Sequence, residues 1–229
     1  MKFISTYSAA FLPSALALHA VRPFVVQDAG YPKPDVKVQV QLGVMSRCPD
    51  ALICENLFTQ VIEKVGDKSE VSLIYVAKID DDDPDFGVSC MHGPEECAGN
   101  VQQLCVNKYA PFTNFWEFVK CQNYQGRENI GTPEVALKCA QTAGIDWEVG
   151  GSGKCAGLDG SGKGSEGVAL LRASTTLGHE LGIQKSCTVL ISGKPVCVHD
   201  GTWKDCENGH SVGDFVRQIE KEYDELNGN

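Results

Sequence analysis

The sequence predicts an α/β domain that carries a disulfide-rich helical insertion, and three observations predict it. Between residues 36 and 77 an alternating strand pattern gives way to helical spacing and then to an unbroken apolar run. Six of the eleven cysteines then crowd between residues 90 and 155. Two further strand-like segments and an amphipathic helix close the chain.

The elements follow in order. In VKVQVQLGV, Val36, Val38, Val40 and Leu42 alternate with polar residues, the period of a strand. From Ala51 to Val65 the period lengthens: Ile53, Leu57, Val61 and Val65 recur every fourth residue, with Phe58 and Ile62 beside them, and Gly66 ends the helix. VSLIYVA, residues 71–77, is apolar throughout and suits a buried parallel strand. FTNFWEFVKC (112–121) and TPEVALKCAQ (132–141) read as helices, the second with Thr132 as N-cap and Pro133 in its first turn. A Gly/Ser-rich loop over 150–167 leads to a further helix over 168–181. CTVLISGKPVCVHDG gives two strands joined at Ser192-Gly193-Lys194. In the last helix Ser211 and Asp214 form a capping box, with Phe215, Ile219 and Tyr223 as the apolar stripe. Strand-helix-strand, helical insert, strand-strand-helix is the order of a thioredoxin-like fold.

Residues 1–20 have the lysine, apolar stretch and small residues of a secretory signal peptide. Residues 21–35, with three prolines, form an extended lead-in. The domain itself is expected over 36–229, with the cysteine-rich insertion at about 80–175. Eleven cysteines place the protein in an oxidising compartment, and their odd number leaves one thiol without an internal partner. A net charge of −10 without a Lys/Arg cluster argues against nucleic acid as a partner. No later segment is expected to span a membrane.

Several motifs reduce to ordinary chemistry. DDDDPDFG (80–87) lacks the turn glycine and the final carboxylate of a calcium loop, and reads as a solvated acidic loop. GLDGSGKG (157–164) has Gly164 where a P-loop needs Ser or Thr, and reads as a flexible connection. Cys90, His92, Cys97 and Cys105 are zinc-type residues at spacings too wide for a usual zinc site, which leaves zinc a minor alternative. No metal and no cofactor is expected.

CMHGPEECAGNVQQLC, residues 90–105, resembles the signature of the gamma-interferon-inducible lysosomal thiol reductase family. Cys90, His92, Gly93, Glu96, Cys97, Asn100 and Cys105 stand at the signature's spacing, and Met91 replaces its glutamine. The resemblance implies a thioredoxin-like fold and reduction or exchange of protein disulfides in the secretory or endolysosomal pathway. Its implied partners are disulfide-containing protein substrates and a small-thiol reductant. The alternative is a disulfide-stapled secreted binding or structural protein on the same fold. In this chemistry a thiolate at a helix N-terminus attacks a disulfide, and a cysteine three residues on resolves the product. Carried onto SRCPDALIC, Cys48 takes the nucleophile position and Ala51 the resolving one, with Cys54 one turn further. Such folds place a cis-proline before the third strand, facing the site. Cys187 stands there, and a trans or reshaped loop is expected in its place.

The insertion's six cysteines are expected to form three internal bridges, and Cys197 and Cys206 a fourth. Cys48, Cys54 and Cys187 then remain as the site cysteines. A helix from Pro49 separates Cys48 from Cys54 by about 9 Å, too far for a bridge. The expectation is therefore that Cys48 approaches Cys187 and that Cys54 is unpaired. A Cys48–Cys54 bridge in an unwound loop is its rival.

Overall fold

The computed structural model describes residues 34–228. The signal-peptide expectation for 1–20, and the lead-in up to residue 33, lie outside the described residues.

The alternating run forms β1 (Val38–Val44), α1 spans Pro49–Val65, and β2 spans Ser69–Tyr75 beside β1 in parallel, with Val40 opposite Val71 and Leu42 opposite Leu73. β2 thus lies two residues earlier than the apolar run alone suggests. Ser69 is recruited because its hydroxyl donates to the Val65 carbonyl at 2.8 Å, tying the strand to the end of α1. The short strands β3 (Lys78–Ile79) and β4 (Val88–Ser89) pair around the acidic loop, where Asp83 accepts from the Asp85 and Phe86 amides.

Helices follow in sequence: α2 (Pro94–Tyr109), α3 (Phe112–Tyr124), α4 (Pro133–Thr142), the short α5 (Ser152–Ala156) and α6 (Ser165–Glu180). The chain then returns through β5 (Thr188–Ile191), β6 (Lys194–His199) and β7 (Trp203–Lys204) to α7 (Val212–Asn227). The main sheet has the order β2-β1-β5-β6-β7, and every pair except β1/β2 is antiparallel. This mixed sheet with helices is the thioredoxin-like arrangement read from the element order.

One face of α1 is buried through Ala51, Cys54, Phe58, Val61 and Val65. Phe58 meets Phe215 of α7 with ring centroids 5.0 Å apart. Ile53, placed on the apolar stripe by its spacing, is instead 48% exposed. The stripe is turned because Cys54, and not Ile53, faces the start of β5. The Ser211–Asp214 capping box forms as read, with Ser211 Oγ accepting from the Asp214 amide at 3.2 Å.

The helical region is held by a buried polar chain as well as by apolar packing. Tyr75 Oη donates to Gln103 at 2.7 Å, Gln103 to Gln122 at 2.8 Å, and Gln122 to Gln102 at 2.9 Å. Gln102 then donates to the carbonyls of Gly131 and Gly160. Each amide is satisfied, which is the condition for burying it without penalty. The glycine-rich loop is a packing feature: at Gly162 (φ +71°) a Cβ would lie 2.6 Å from the Cα of Ala98 in α2.

Bridges Cys90–Cys97, Cys105–Cys155 and Cys121–Cys139 close the helical region on itself, and Cys197–Cys206 closes the last turn. Those four match the expected partition. They also answer the zinc alternative, since Cys90 and Cys97 are bonded to each other and Cys105 to Cys155.

Candidate active site

The site lies where β1 runs out and α1 begins. Cys48 is the N-cap of α1, Pro49 opens its first turn, and the Leu52 amide bonds the Cys48 carbonyl at 3.2 Å. Proline fits there because the first-turn amides have no partner within the helix.

The loop into the helix is gripped by α2. The Ser46 amide donates to Asn100 Oδ1 at 3.0 Å, and Ser46 Oγ to the Glu96 carbonyl at 3.1 Å. The Arg47 amide reaches Glu96 Oε2 at 3.3 Å, while the Arg47 guanidinium donates to the carbonyls of Glu128 and Ile130. Glu96 in turn accepts from the His92 amide at 3.1 Å and pairs with His92 Nδ1 at 2.5 Å. Glu96 and Asn100 are fully buried. His92, Glu96 and Asn100, three of the residues that carried the sequence resemblance, therefore act together as the mount for the turn that presents Cys48. They bond its neighbours Ser46 and Arg47, and none of them hydrogen-bonds its sulfur.

Cys48 is buried to 6% exposure. Its thiol lies 3.7 Å from the Ser186 carbonyl and 4.0 Å from Asp50 Oδ2. Ser186 holds the facing loop in place, with its Oγ accepting from the Met45 amide at 3.0 Å. The Ser186–Cys187 peptide bond is cis, against the trans or reshaped loop expected from the missing proline. Neighbours on both sides fix the segment: beyond the Met45 contact, Cys187 and His199 exchange both backbone hydrogen bonds, at 3.0 and 2.8 Å.

The pairing of the three site cysteines corrects the expectation. Cys54 is bonded to Cys187, with Cα atoms 6.3 Å apart, and Cys48 is the free thiol. Neither a Cys48–Cys187 contact in place of that bridge nor a Cys48–Cys54 bond is formed. The reason lies in the helix phase. Backbone pairing with β6 sets Cys187 beneath the second turn of α1, where Cys54 is fully buried on the inner face, and not beneath its tip. Five disulfides take up ten of the eleven cysteines, all of which lie among the described residues.

Asp50 beside the sulfur, and His199 against Asp50, escaped the sequence reading. Asp50 could have been noticed as an acid in a helix first turn. His199 had no signal, because its partner Asp50 is 149 residues away. No group of three or more His, Cys, Asp or Glu side chains among the described residues is arranged to hold a metal ion.

A thioredoxin-like fold with a lone thiol at the tip of its first helix defines the class: a thiol oxidoreductase scaffold. The family model described as Gamma interferon inducible lysosomal thiol reductase (GILT) matches residues 39–143 of this chain. That match makes thiol oxidoreductase its class of activity. Among solved structures, BdbD from Bacillus subtilis is similar at 17% identity with a TM-score of 0.56, covering 83% of this chain and 90% of its own. MdbA, a thiol-disulfide oxidoreductase from Corynebacterium diphtheriae, is similar at 17% identity with a TM-score of 0.54, covering 80% and 83%. DsbA from Mycobacterium tuberculosis gives 18% identity and a TM-score of 0.53, covering 89% and 88%. At such identities these likenesses show the fold alone. A comparison with curated proteins gave no match.

Proposed function

We propose that the protein is a thiol-disulfide oxidoreductase that works through a single thiol, Cys48, on disulfide-containing protein substrates. The observation that carries this reading is the position of the one free cysteine: it caps α1, on a loop mounted by the signature residues. The Cys48 thiolate attacks one sulfur of a substrate disulfide, forming a mixed disulfide and expelling the other sulfur as a thiolate that takes up a proton. Position 51 is alanine and Cys54–Cys187 is closed, so the second step falls to a small external thiol. That thiol attacks the mixed disulfide, frees Cys48 and carries the new bond away. Used this way the protein reduces its substrates. In a second mode, prior reduction of Cys54–Cys187 supplies an internal resolving thiol from either cysteine.

Ala51 and the burial of Cys48 favour one other reading, a stapled binding protein on the same fold without turnover. Incubation with disulfide-bonded insulin or another disulfide protein, acid quenching and intact-mass analysis separate the two. One adduct per chain, mapped to Cys48, is expected; a chain that forms no adduct under these conditions overturns the enzymatic reading.

The compartment is part of the proposal. Five disulfides belong in an oxidising environment. With residues 1–20 as a leader, the route is the secretory pathway, ending outside the cell or in a lysosomal or vacuolar lumen. No helix among the described residues is long and apolar enough to cross a membrane. N-terminal sequencing of exported protein should begin near Leu18 or Val21, and mature protein that keeps Met1 contradicts the route.

A further inference from the structure

Beside Cys48 stands a carboxylate–imidazole pair that thiol exchange does not itself require. Asp50, in the first turn of α1, accepts from His199 Nδ1 at 2.6 Å and from the Gly201 amide at 2.9 Å. Its other oxygen faces Cys48 Sγ at 4.0 Å. His199 is buried at the end of β6, its ring edge-on to Trp203 with centroids 4.8 Å apart. Its backbone holds Cys187, so one residue braces both the facing loop and the acid beside the sulfur.

The charges work against each other. A carboxylate 4.0 Å from the sulfur opposes formation of a thiolate, and it favours the S–H form that donates to it. A proton on His199 cancels that charge. The other charged groups around the pair are already engaged: Arg47 by Glu95, Glu96 by His92, and Asp200 by Lys185 and Lys204. His210 stacks on Trp203 with ring centroids 5.5 Å apart. Among the described residues, Asp50 is therefore the one acid hydrogen-bonded to the sulfur, and His199 the one base hydrogen-bonded to that acid.

We propose that His199 is a positioning residue for Cys48: protonated, it neutralises Asp50 and lets the thiolate form; neutral, it leaves Asp50 to hold the sulfur as S–H. The consequence for turnover rests on the reading of Cys48 as nucleophile. The electrostatic link is legible on the thiol itself. It favours acidic conditions, where a free thiol is otherwise a poor nucleophile.

Alkylation of the native protein by iodoacetamide reads one thiol, because the other ten cysteines are bonded. At pH about 5 the His199→Gln variant should react roughly 3–10-fold more slowly than wild type, since Asp50 then has no counter-charge. The gap should close towards alkaline pH, where the wild-type imidazole carries no charge either. Adding Asp50→Asn to His199→Gln should restore the wild-type rate or exceed it. A residue that merely packs would give a double variant at least as slow as the single one, with a gap independent of pH. Either of those results, or equal rates for wild type and His199→Gln throughout, overturns the proposal. A failure of the nucleophile reading looks different: Cys48→Ser would keep its disulfide exchange while the alkylation pattern stood unchanged.

Discussion

An Ala51→Cys variant is expected to release its mixed disulfide on the order of 10²–10³-fold faster than the native chain, because an intramolecular thiol replaces a dissolved one. Position 51 lies three residues past Cys48, on the same turn of α1, and its side chain is fully buried. A sulfur there reaches the bond between Cys48 and substrate without diffusion. It attacks Cys48 Sγ, forms a bridge between positions 48 and 51, and lets the substrate depart as a thiolate. The native chain waits for an external thiol instead, and its adduct should accumulate until one is added. Cys48→Ser should form no adduct at all. The new sulfur must be housed in a packed site, at about 1 kcal/mol or more in stability. Acid-quenched mass spectra at successive times give the lifetimes. Equal lifetimes in the native chain and Ala51→Cys would mean that resolution does not wait on the missing thiol. Cys54 or Cys187 would then have to open and supply it, and the adduct should persist only when both are replaced by serine.

What could be read from the chain was what is local in it. The alternation of β1, the helix marked by the four-residue recurrence in α1 and the Ser211–Asp214 box each depend on neighbours within a turn or two, and each formed, although the recurrence misplaced the buried face of α1 at Ile53. The partition of bridges was legible for a related reason, since the six insertion cysteines are confined to one contiguous helical region. α2 was hidden from periodicity: its buried face carries Glu96, Asn100, Gln102 and Gln103, polar residues that serve the active-site loop and the amide chain. The resemblance singled out its residues, and no helix was read there. The three site cysteines defeated elimination because the choice depended on which turn of α1 overlies β5. Pairing of Cys187 with His199 decides that, and no spacing in the sequence records it. Asp50 and His199 were lost in the same way, as two ordinary residues made neighbours by the sheet.

The same helix carries a second acid, and Glu55→Gln is expected to flatten the pH dependence of stability by roughly 1–3 kcal/mol between pH 5 and 8. Glu55 follows Cys54 and is buried against α3. Burial pushes its carboxyl up from 4.5 to about 7, although a hydrogen bond from Asn123 pulls the other way. Asn123 Nδ2 donates to Glu55 Oε2 at 2.6 Å, while Glu55 Oε1 and Asn123 Oδ1 are both buried without a partner. A proton on Glu55 supplies the one donor that two stranded acceptors lack. The folded state thus keeps a proton that the unfolded chain releases near the ordinary glutamate value. The resulting stabilisation is complete below about pH 4.5, is lost as pH rises to about 7, and is absent above that. Glutamine presents an oxygen to accept from Asn123 and an amide to donate back, so it mimics the protonated acid at every pH. Denaturant midpoints at pH 5 and 8 should therefore diverge in wild type and draw together in Glu55→Gln, with the variant the more stable of the two at pH 8. If the variant keeps the wild-type difference between the two pH values, or is less stable than wild type at pH 8, Glu55 is not the group that holds the proton.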